Sequence, residues 1–260
     1  MAVITFMSDF GIEDHYVAAV KAVIISHNPS IPIIDISHQI TPGDIGQAAY
    51  LLKSVFREFP KGTVHLCGID NVARERTRLL AMKVEDHFFV GSDSGVFSLI
   101  SEDRPTACID LNAINPVNST FPTKEILAPA AAGLASGKNI HEMGPAVDSI
   151  MELFARKLKV TKREIAGNVI RVDQYGNLIT NIEKKEFDII QKLNNNAAFE
   201  ITIGRETVTR INENYFEVES GDCFVFFNSV GLLQIGINKG NAAELLGLKL
   251  DTPIVISFRI

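Results

Sequence analysis

The chain has 260 residues, of which 46% are hydrophobic and 22% are charged. At roughly 100–200 residues per domain, this length predicts one large domain or two ordinary ones, and the apolar content excludes a largely disordered chain. The net charge is −6, from 25 Lys and Arg against 31 Asp and Glu. Proteins that bind nucleic-acid phosphates usually carry a basic excess, so we expect no nucleic-acid partner.

Cysteine and histidine spacing argues against disulfides, metals and a secreted protein. Cys67, Cys108 and Cys223 are far apart with no CxxC pair, which predicts buried thiols in a reducing compartment. The six histidines lack metal-ligand spacing, so no metal is expected. No basic leader precedes Asp9, and no apolar run approaches about 18 residues. We therefore expect a cytoplasmic protein without a membrane partner.

The first part of the chain alternates strand and helix patterns. The predicted elements are a strand at 2–7, a helix at 14–27, a strand at 31–36, a helix at 45–59 capped by Asp44, a strand at 63–69, a hairpin at 79–91, and a helix at 124–136 that stops at Gly137. This alternation predicts an α/β N-terminal domain over residues 1–155, with a mainly parallel sheet covered by helices.

After residue 155 short strands replace the alternation. They are predicted at 167–172, 178–182, 198–203, 206–210, 223–228, 232–237 and 254–258. The sequence thus predicts a smaller all-β, barrel-like or sandwich C-terminal domain over residues 165–260. The basic stretch at 156–163 is interpreted as a solvated linker, given the acidic balance of the whole chain.

Three carboxylates fall at predicted strand ends. Asp9 follows the first strand, Asp14 opens the next helix, and Asp70 follows the third strand. Ligands of open α/β sheets bind beyond the carboxyl ends of the strands, and carboxylates suit a hydroxyl-rich or cationic ligand. Asp9 and Asp14 could equally be turn and cap residues. The polar turn at 173–177 could likewise be an ordinary hairpin loop.

The segment Ser-Asp-Phe-Gly-Ile-Glu-Asp-His-Tyr-Val at 8–17 resembles the opening of the S-adenosylmethionine hydroxide adenosyltransferases, relatives of fluorinase and chlorinase. Further segments match that family in order, at 36–42, 59–66, 119–122, 128–132, 173–182 and 228–244. The resemblance covers nearly the whole chain. It implies an α/β domain followed by a barrel-like domain, assembled as a homotrimer with the substrate between domains of neighbouring subunits.

The resemblance also implies an activity and its residues. Water would attack C5′ of S-adenosylmethionine and release adenosine and L-methionine, with no cofactor. The implied substrate-binding residues are Asp9 for the ribose hydroxyls, Asp14 and Asp173 for the methionine ammonium, Ser229 for its carboxylate, Phe121 and Tyr175 as aromatic walls, and Asn177 with the backbone near Asn238 for the adenine.

The residues expected to handle the nucleophile depart from the family pattern. Asp70 stands where the halogenating relatives carry Tyr, which favours water as the nucleophile. The family Arg position holds Thr77, flanked by Arg76 and Arg78, and the family His position holds Pro122. Arg76 or Arg78 could take the Arg role beside a catalytic Asp70.

Two alternatives stay open at this point. His65 or His87 could replace the missing His from another segment, although both also suit half-buried strand positions. The protein could also be a catalytically silent trimer that binds S-adenosylmethionine or adenosine without turnover.

Overall fold

A computed structural model describes residues 2–70, 78–113 and 119–259 of the chain. The positions of Arg76 and Thr77 lie outside these ranges. The chain divides into two units, Met1–Ala155 and Arg156–Ile260. No helix in the described ranges combines the length and the hydropathy that crossing a bilayer requires.

The described residues of the first unit form six strands and four α-helices. In chain order they are β1 (Ile4–Ser8), α1 (Tyr16–His27), β2 (Ile33–Ser37), α2 (Ile45–Val55), β3 (Val64–Gly68), β4 (Leu79–Val84), β5 (His87–Ser92), α3 (Val96–Ile100), β6 (Ala107–Asp110) and α4 (Ala128–Ala135). A π-helical turn, Thr123–Leu127, leads into α4. The predicted elements are therefore present, whereas α3 and β6 were not predicted.

The strand order in this unit is β2-β1-β3-β5-β4-β6. The pairs β1–β2, β1–β3 and β3–β5 are parallel, whereas β4 is antiparallel to both β5 and β6. The prediction of a mainly parallel sheet thus holds from β2 to β5 and fails beyond. The physical reason is the tight β4–β5 hairpin, because a two-residue connection can join only antiparallel strands.

Helices cover both faces of the sheet, as predicted. Side chains alternate along β1, so Phe6 joins the core beneath α1 and α4, whereas Met7 joins the core beneath α2 and α3. The predicted helix signals are also confirmed. Asp44 Oδ1 accepts a hydrogen bond from the Gln47 amide at 2.9 Å, and Gly137 ends α4 at a φ of 94°.

The described residues of the second unit form eight strands and two α-helices. They are β7 (Lys159–Val160), β8 (Glu164–Val172), β9 (Leu178–Glu183), α5 (Lys184–Leu193), β10 (Phe199–Ile203), β11 (Glu206–Val208), β12 (Cys223–Phe227), β13 (Leu232–Ile237), α6 (Ala242–Leu246) and β14 (Pro253–Phe258). The seven predicted strands are all present, and β7 is additional.

All pairings in this unit are antiparallel, in the order β11-β10-β14-β8-β9-β13-β12. The long strand β8 pairs with β14 through its first half and with β9 through its second half. The sheet therefore bends around one apolar core into a barrel-like form. The prediction of an all-β domain is wrong, because α5 packs Phe187 and Ile190 into that core.

The three thiols differ in burial. Cys67 is buried, whereas Cys108 and Cys223 are half-buried. Burial raises the pKa of Cys67 far above its usual value, and it raises the pKa of Cys108 and of Cys223 to about 11. All three are therefore poor nucleophiles at neutral pH.

Candidate functional site

The first unit has a topological switch point between β1 and β3. From β1 the chain continues to β2 on one side, and from β3 it continues to β4 on the other side. Connections that leave in opposite directions open a crevice at the carboxyl ends of the two strands, where open α/β sheets bind ligands. Asp9 and Asp70 follow β1 and β3 at this crevice.

Asp9 links the loops that surround the crevice. Its Oδ2 accepts hydrogen bonds from the Gly43 amide at 3.0 Å and from the Asp70 amide at 3.1 Å. Its own amide donates to the Gly68 carbonyl at 3.3 Å. Asp9 therefore joins the loops that follow β2 and β3, through side-chain bonds to residues 34 and 61 positions away rather than within its own turn.

Asp70 is half-buried and has a left-handed backbone, with a φ of 47°. Such a conformation costs roughly 1–3 kcal/mol in a residue other than glycine, although Asp tolerates it better than most. The neighbouring Ile69 carbonyl accepts a hydrogen bond from the buried Ser92 hydroxyl at 2.8 Å. Backbone strain of this kind is concentrated at functional sites.

Asp14 lies in an open cleft of about 230 Å³ beside three aromatic rings. The residues that line the cleft are Phe10, Gly11, Ile12, Glu13, Asp14 and Gln39. The ring of Phe121 lies 5.6 Å from that of Phe10 and 5.4 Å from that of Tyr16. Carboxylates beside aromatic faces suit a cation. Asp14 is not the cap of α1, because His15 occupies that position.

Phe10 and Tyr16 are further aromatic residues of this cleft region with no role predicted from the sequence. Their signal was available in the segment at 8–17, where both residues flank Asp14.

Arg78 is engaged in an ion pair. Its Nε and Nη2 donate to Asp93 Oδ2 at 3.0 and 2.5 Å, and Asp93 Oδ1 accepts from the Met151 amide at 2.7 Å. A catalytic role for Arg78 would require it to leave this partner, so that role stays a prediction. Pro122 is buried and directly precedes the π-helical turn.

His65 and His87 lie at the amino-terminal ends of β3 and β5, away from the crevice. His65 Nδ1 is 2.7 Å from the Thr5 hydroxyl, and its Nε2 is 3.2 Å from His87 Nδ1. Burial, together with the His87 charge, lowers the pKa of His65 to about 3. The hypothesis that either residue replaces the family His is therefore wrong, because both face the core at the opposite edge.

A third buried histidine, His38, lies next to the crevice and contacts the ends of β1 and β2. The Ser8 hydroxyl is 2.7 Å from His38 Nδ1, and His38 Nε2 is 3.1 Å from Asp35 Oδ1, in poor alignment for a hydrogen bond. The His38 carbonyl also accepts from the Gly11 amide at 2.8 Å. His38 thus joins the end of β2 to the loop that lines the cleft, a role the sequence analysis missed.

In the second unit the turn at 173–177 is a hairpin loop that is held by hydrogen bonds among its own residues. Asp173 Oδ1 accepts from the Tyr175 and Asn177 amides at 2.9 Å each, and Asp173 Oδ2 accepts from Asn177 Nδ2 at 2.9 Å. The hairpin-loop interpretation is therefore confirmed. Tyr175 is 79% exposed, whereas Asn177 is only 6% exposed. An exposed aromatic ring on a rigid turn is available for ligand contact.

Ser229 and Asn238 lie at opposite ends of β13. Ser229 is exposed in the turn between β12 and β13, and Asn238 directly follows β13. Antiparallel pairing of β13 with β9 places Asn238 at the same edge as Asn177, and Ser229 at the other edge. Asn238 Nδ2 donates to the Val218 carbonyl at 2.9 Å. Its backbone position is thereby fixed.

In the part of the chain that the structure describes, no three His, Cys, Asp or Glu side chains gather as a metal site.

Two family models match the chain. The S-adenosylmethionine (SAM) hydroxide adenosyltransferase N-terminal domain matches residues 4–144, and the C-terminal domain of the same family matches residues 167–255. The chain therefore belongs to the SAM hydroxide adenosyltransferase family, as its sequence predicts.

Individual relatives align over nearly the full length. A Thermus thermophilus protein named (R)-S-adenosyl-L-methionine hydrolase is 32% identical, over 98% of this chain and 99% of its own. A fluorinase of Actinoplanes sp. is 23% identical, over 98% and 97%. An uncharacterized conserved protein from Thermotoga maritima has a similar crystal structure, with a TM-score of 0.88 and 31% identity over 98% and 100%. Family members are thus SAM hydrolases or fluorinases.

Proposed function

We propose that the protein hydrolyses S-adenosyl-L-methionine to adenosine and L-methionine, by in-line attack of water at C5′. The observation that carries this proposal is the placement of Asp9 and Asp70 at the switch point between β1 and β3. The Asp70 amide there donates a hydrogen bond of 3.1 Å to Asp9 Oδ2. One carboxylate there can bind ribose hydroxyls while the other faces the reacting carbon.

The chemistry requires binding and orientation more than acid catalysis. The sulfonium of SAM is a cation, so Asp14 and the rings of Phe10, Tyr16 and Phe121 suit its methionine portion. Methionine leaves as a neutral thioether and needs no proton at sulfur. Holding both ends of the substrate aligns the nucleophile opposite the leaving group, which supplies much of the rate.

Asp70 is the proposed catalytic group. Its carboxylate would orient a water and accept the proton as the C–O bond forms. Pro122 offers no proton acceptor on its side chain. Asp70 would therefore do more of the proton transfer in this chain than it does where the family has His at that position.

Relatives of this chain are named hydrolases of (R)-S-adenosyl-L-methionine. We propose the same preference here, for the R configuration at the sulfonium. The two epimers place the methionine chain and the methyl group differently around sulfur. A site that fixes both the ribose and the ammonium therefore distinguishes them by fit.

We also propose a cytoplasmic homotrimer without a cofactor. In this trimer, the site of each subunit would be completed by five residues of a neighbouring subunit, namely Asp173, Tyr175, Asn177, Ser229 and Asn238. The exposed ring of Tyr175 and the rigid Asp173–Asn177 hairpin support this role.

A second candidate is a binding protein without turnover. Two observations favour it, namely Pro122 at the family His position and the ion pair that occupies Arg78.

The deciding experiment is incubation with each sulfonium epimer in ¹⁸O-labelled water, followed by chromatography and mass spectrometry. Hydrolysis predicts equimolar adenosine and methionine, with ¹⁸O in the 5′-hydroxyl of adenosine. Asp70→Ala should abolish the products, whereas the control Asp188→Ala, an exposed carboxylate paired with Lys184 on α5, should not. Retention of intact ligand without product would replace the hydrolase with the binding protein.

A further inference from the structure

The two oxygens of the Asp9 carboxylate differ in the hydrogen bonds that they accept. Oδ2 accepts both the Gly43 and the Asp70 amides. Within the ranges that the structure describes, Oδ1 accepts no hydrogen bond. A carboxylate oxygen has two lone pairs, so the described residues saturate Oδ2 and leave both lone pairs of Oδ1 available. A vicinal diol can therefore bind through Oδ1 without displacing the amides.

The amide of Asp70 belongs to a residue in the left-handed region, at a φ of 47°. A residue other than glycine keeps that conformation only where its surroundings hold it. The Asp9 contact holds the Ile69–Asp70 peptide, from which the Asp70 side chain projects, because the donor is the amide nitrogen bonded to the Asp70 Cα. The direction of the Asp70 side chain follows from this backbone conformation.

We propose that Asp9, to which the family resemblance already gives the ribose hydroxyls, is also a positioning residue for Asp70. One carboxylate then links the substrate's ribose, through Oδ1, to the backbone of the group that orients the nucleophile, through Oδ2. The catalytic part of this inference rests on the proposed function. It makes a claim that ribose binding alone does not, namely that turnover of a substrate without ribose hydroxyls still depends on Asp9.

The kinetic test uses 2′,3′-dideoxyadenosyl-methionine, which has no hydroxyl for Oδ1 to bind. Asp9→Ala should lower kcat on this analogue by roughly tenfold or more, the effect of losing one charge-assisted hydrogen bond. In an Asp70→Asn background, where residual turnover can still be measured, the same change should cost little further activity, because the two residues act through one step. Equal turnover of the analogue by wild type and Asp9→Ala would overturn the inference.

A second measurement does not depend on turnover. Hydrogen–deuterium exchange of the Asp70 amide, read from overlapping peptides, should be roughly tenfold or more faster in Asp9→Ala than in wild type. Asp9→Asn keeps a carbonyl acceptor, so its exchange should lie nearer to wild type. Asp14→Ala removes a neighbouring carboxylate that has no bond to Asp70, and should leave this exchange unchanged.

The outcomes separate the two proposals. If neither epimer is consumed by wild type, the hydrolase proposal fails, while the exchange experiment still decides whether Asp9 positions Asp70. If hydrolysis occurs but exchange is the same in wild type and Asp9→Ala, the positioning inference fails and the hydrolase stands.

Discussion

The two edges of the N-terminal sheet both carry polar side chains, but in opposite settings. At the carboxyl edge, Asp9 and Asp70 are half-buried, and the Asp9 carboxylate accepts the backbone amides of Gly43 and Asp70. At the amino edge, Thr5, His65 and His87 are buried and bonded to one another. The difference teaches that access to solvent and the identity of the partner, rather than residue type, separate functional from structural polar groups.

The amino edge stabilises the fold through a closed network. The rings of Phe56 and Phe89 pack against His65, with centroids 6.1 and 4.9 Å away. In that setting a neutral imidazole with both nitrogens bonded is tolerated, whereas a charged one is strongly disfavoured. Substitutions at this edge should therefore change stability, and substitutions at the carboxyl edge should change turnover.

The largest expected effect is on turnover, from Asp70→Asn. Loss of the proton-accepting carboxylate should lower kcat by about 10³-fold. Asn tolerates a left-handed φ and keeps the amide that bonds Asp9, so the melting temperature should stay near that of wild type. Steady-state kinetics measures kcat, and thermal unfolding measures the melting temperature. Full turnover by the amide variant would mean that Asp70 only shapes the crevice.

The matching change at the amino edge is His65→Ala, which should cost about 3 kcal/mol in the free energy of unfolding. It leaves a cavity and strands the buried Thr5 hydroxyl without its partner. The double variant Thr5→Val with His65→Leu removes both polar partners and refills the space, so it should lose less. Urea unfolding compares them. A His65→Ala protein of normal stability but low turnover would reverse the contrast between the edges.

Acid should also destabilise the fold through the amino edge. The folded-state pKa of His65, about 3, lies below its ordinary value of 6.5. Between these values the unfolded chain binds a proton that the folded protein does not. The stabilisation is therefore complete above pH 6.5 and is lost as the pH falls, by up to about 1.4 kcal/mol per pH unit.

Urea unfolding between pH 7.5 and 4.5 measures this slope. Below about pH 4.5, Glu85 adds a loss of the same sign, because its hydrogen bond from Arg57 holds the pKa of that carboxyl below its usual value. The Thr5→Val, His65→Leu double variant should show a shallower slope above that pH. Parallel curves for the double variant and wild type would assign the acid sensitivity to other groups.

Much of the fold could be predicted from local patterns. Alternating and helical apolar spacing located the main strands of both units, and the Asp44 and Gly137 signals set helix ends. The helix α5 was missed because only Phe187 and Ile190 bury in the core along a polar stretch. The antiparallel β4–β5 pair follows from the predicted hairpin at 79–91, whereas the β4–β6 pair could not be predicted, because β6 itself was not predicted.

The positions of the site residues at one edge of the sheet could be predicted from the sequence, but the hydrogen bonds between them could not. The ends of β1 and β3 place Asp9 and Asp70 at one edge, and this follows from strand order. That Asp9 bonds the Gly43 and Asp70 amides depends on three loops closing together. The His65–His87 pairing likewise depends on the register between β3 and β5, across 22 positions of sequence.

The smallest expected effect concerns another carboxylate at the carboxyl edge. Asp44 directly follows Gly43, yet its Oδ1 is bound to the Gln47 amide of α2. Asp44→Ala should cost about 1 kcal/mol in stability by removing the cap, and Asp44→Ser should restore most of it. Turnover should be unchanged in both, because a carboxylate already satisfied by a helix terminus has no oxygen directed to the ligand. A fall in kcat without a loss of stability would place Asp44 in the site, and position at the carboxyl edge would then suffice for function.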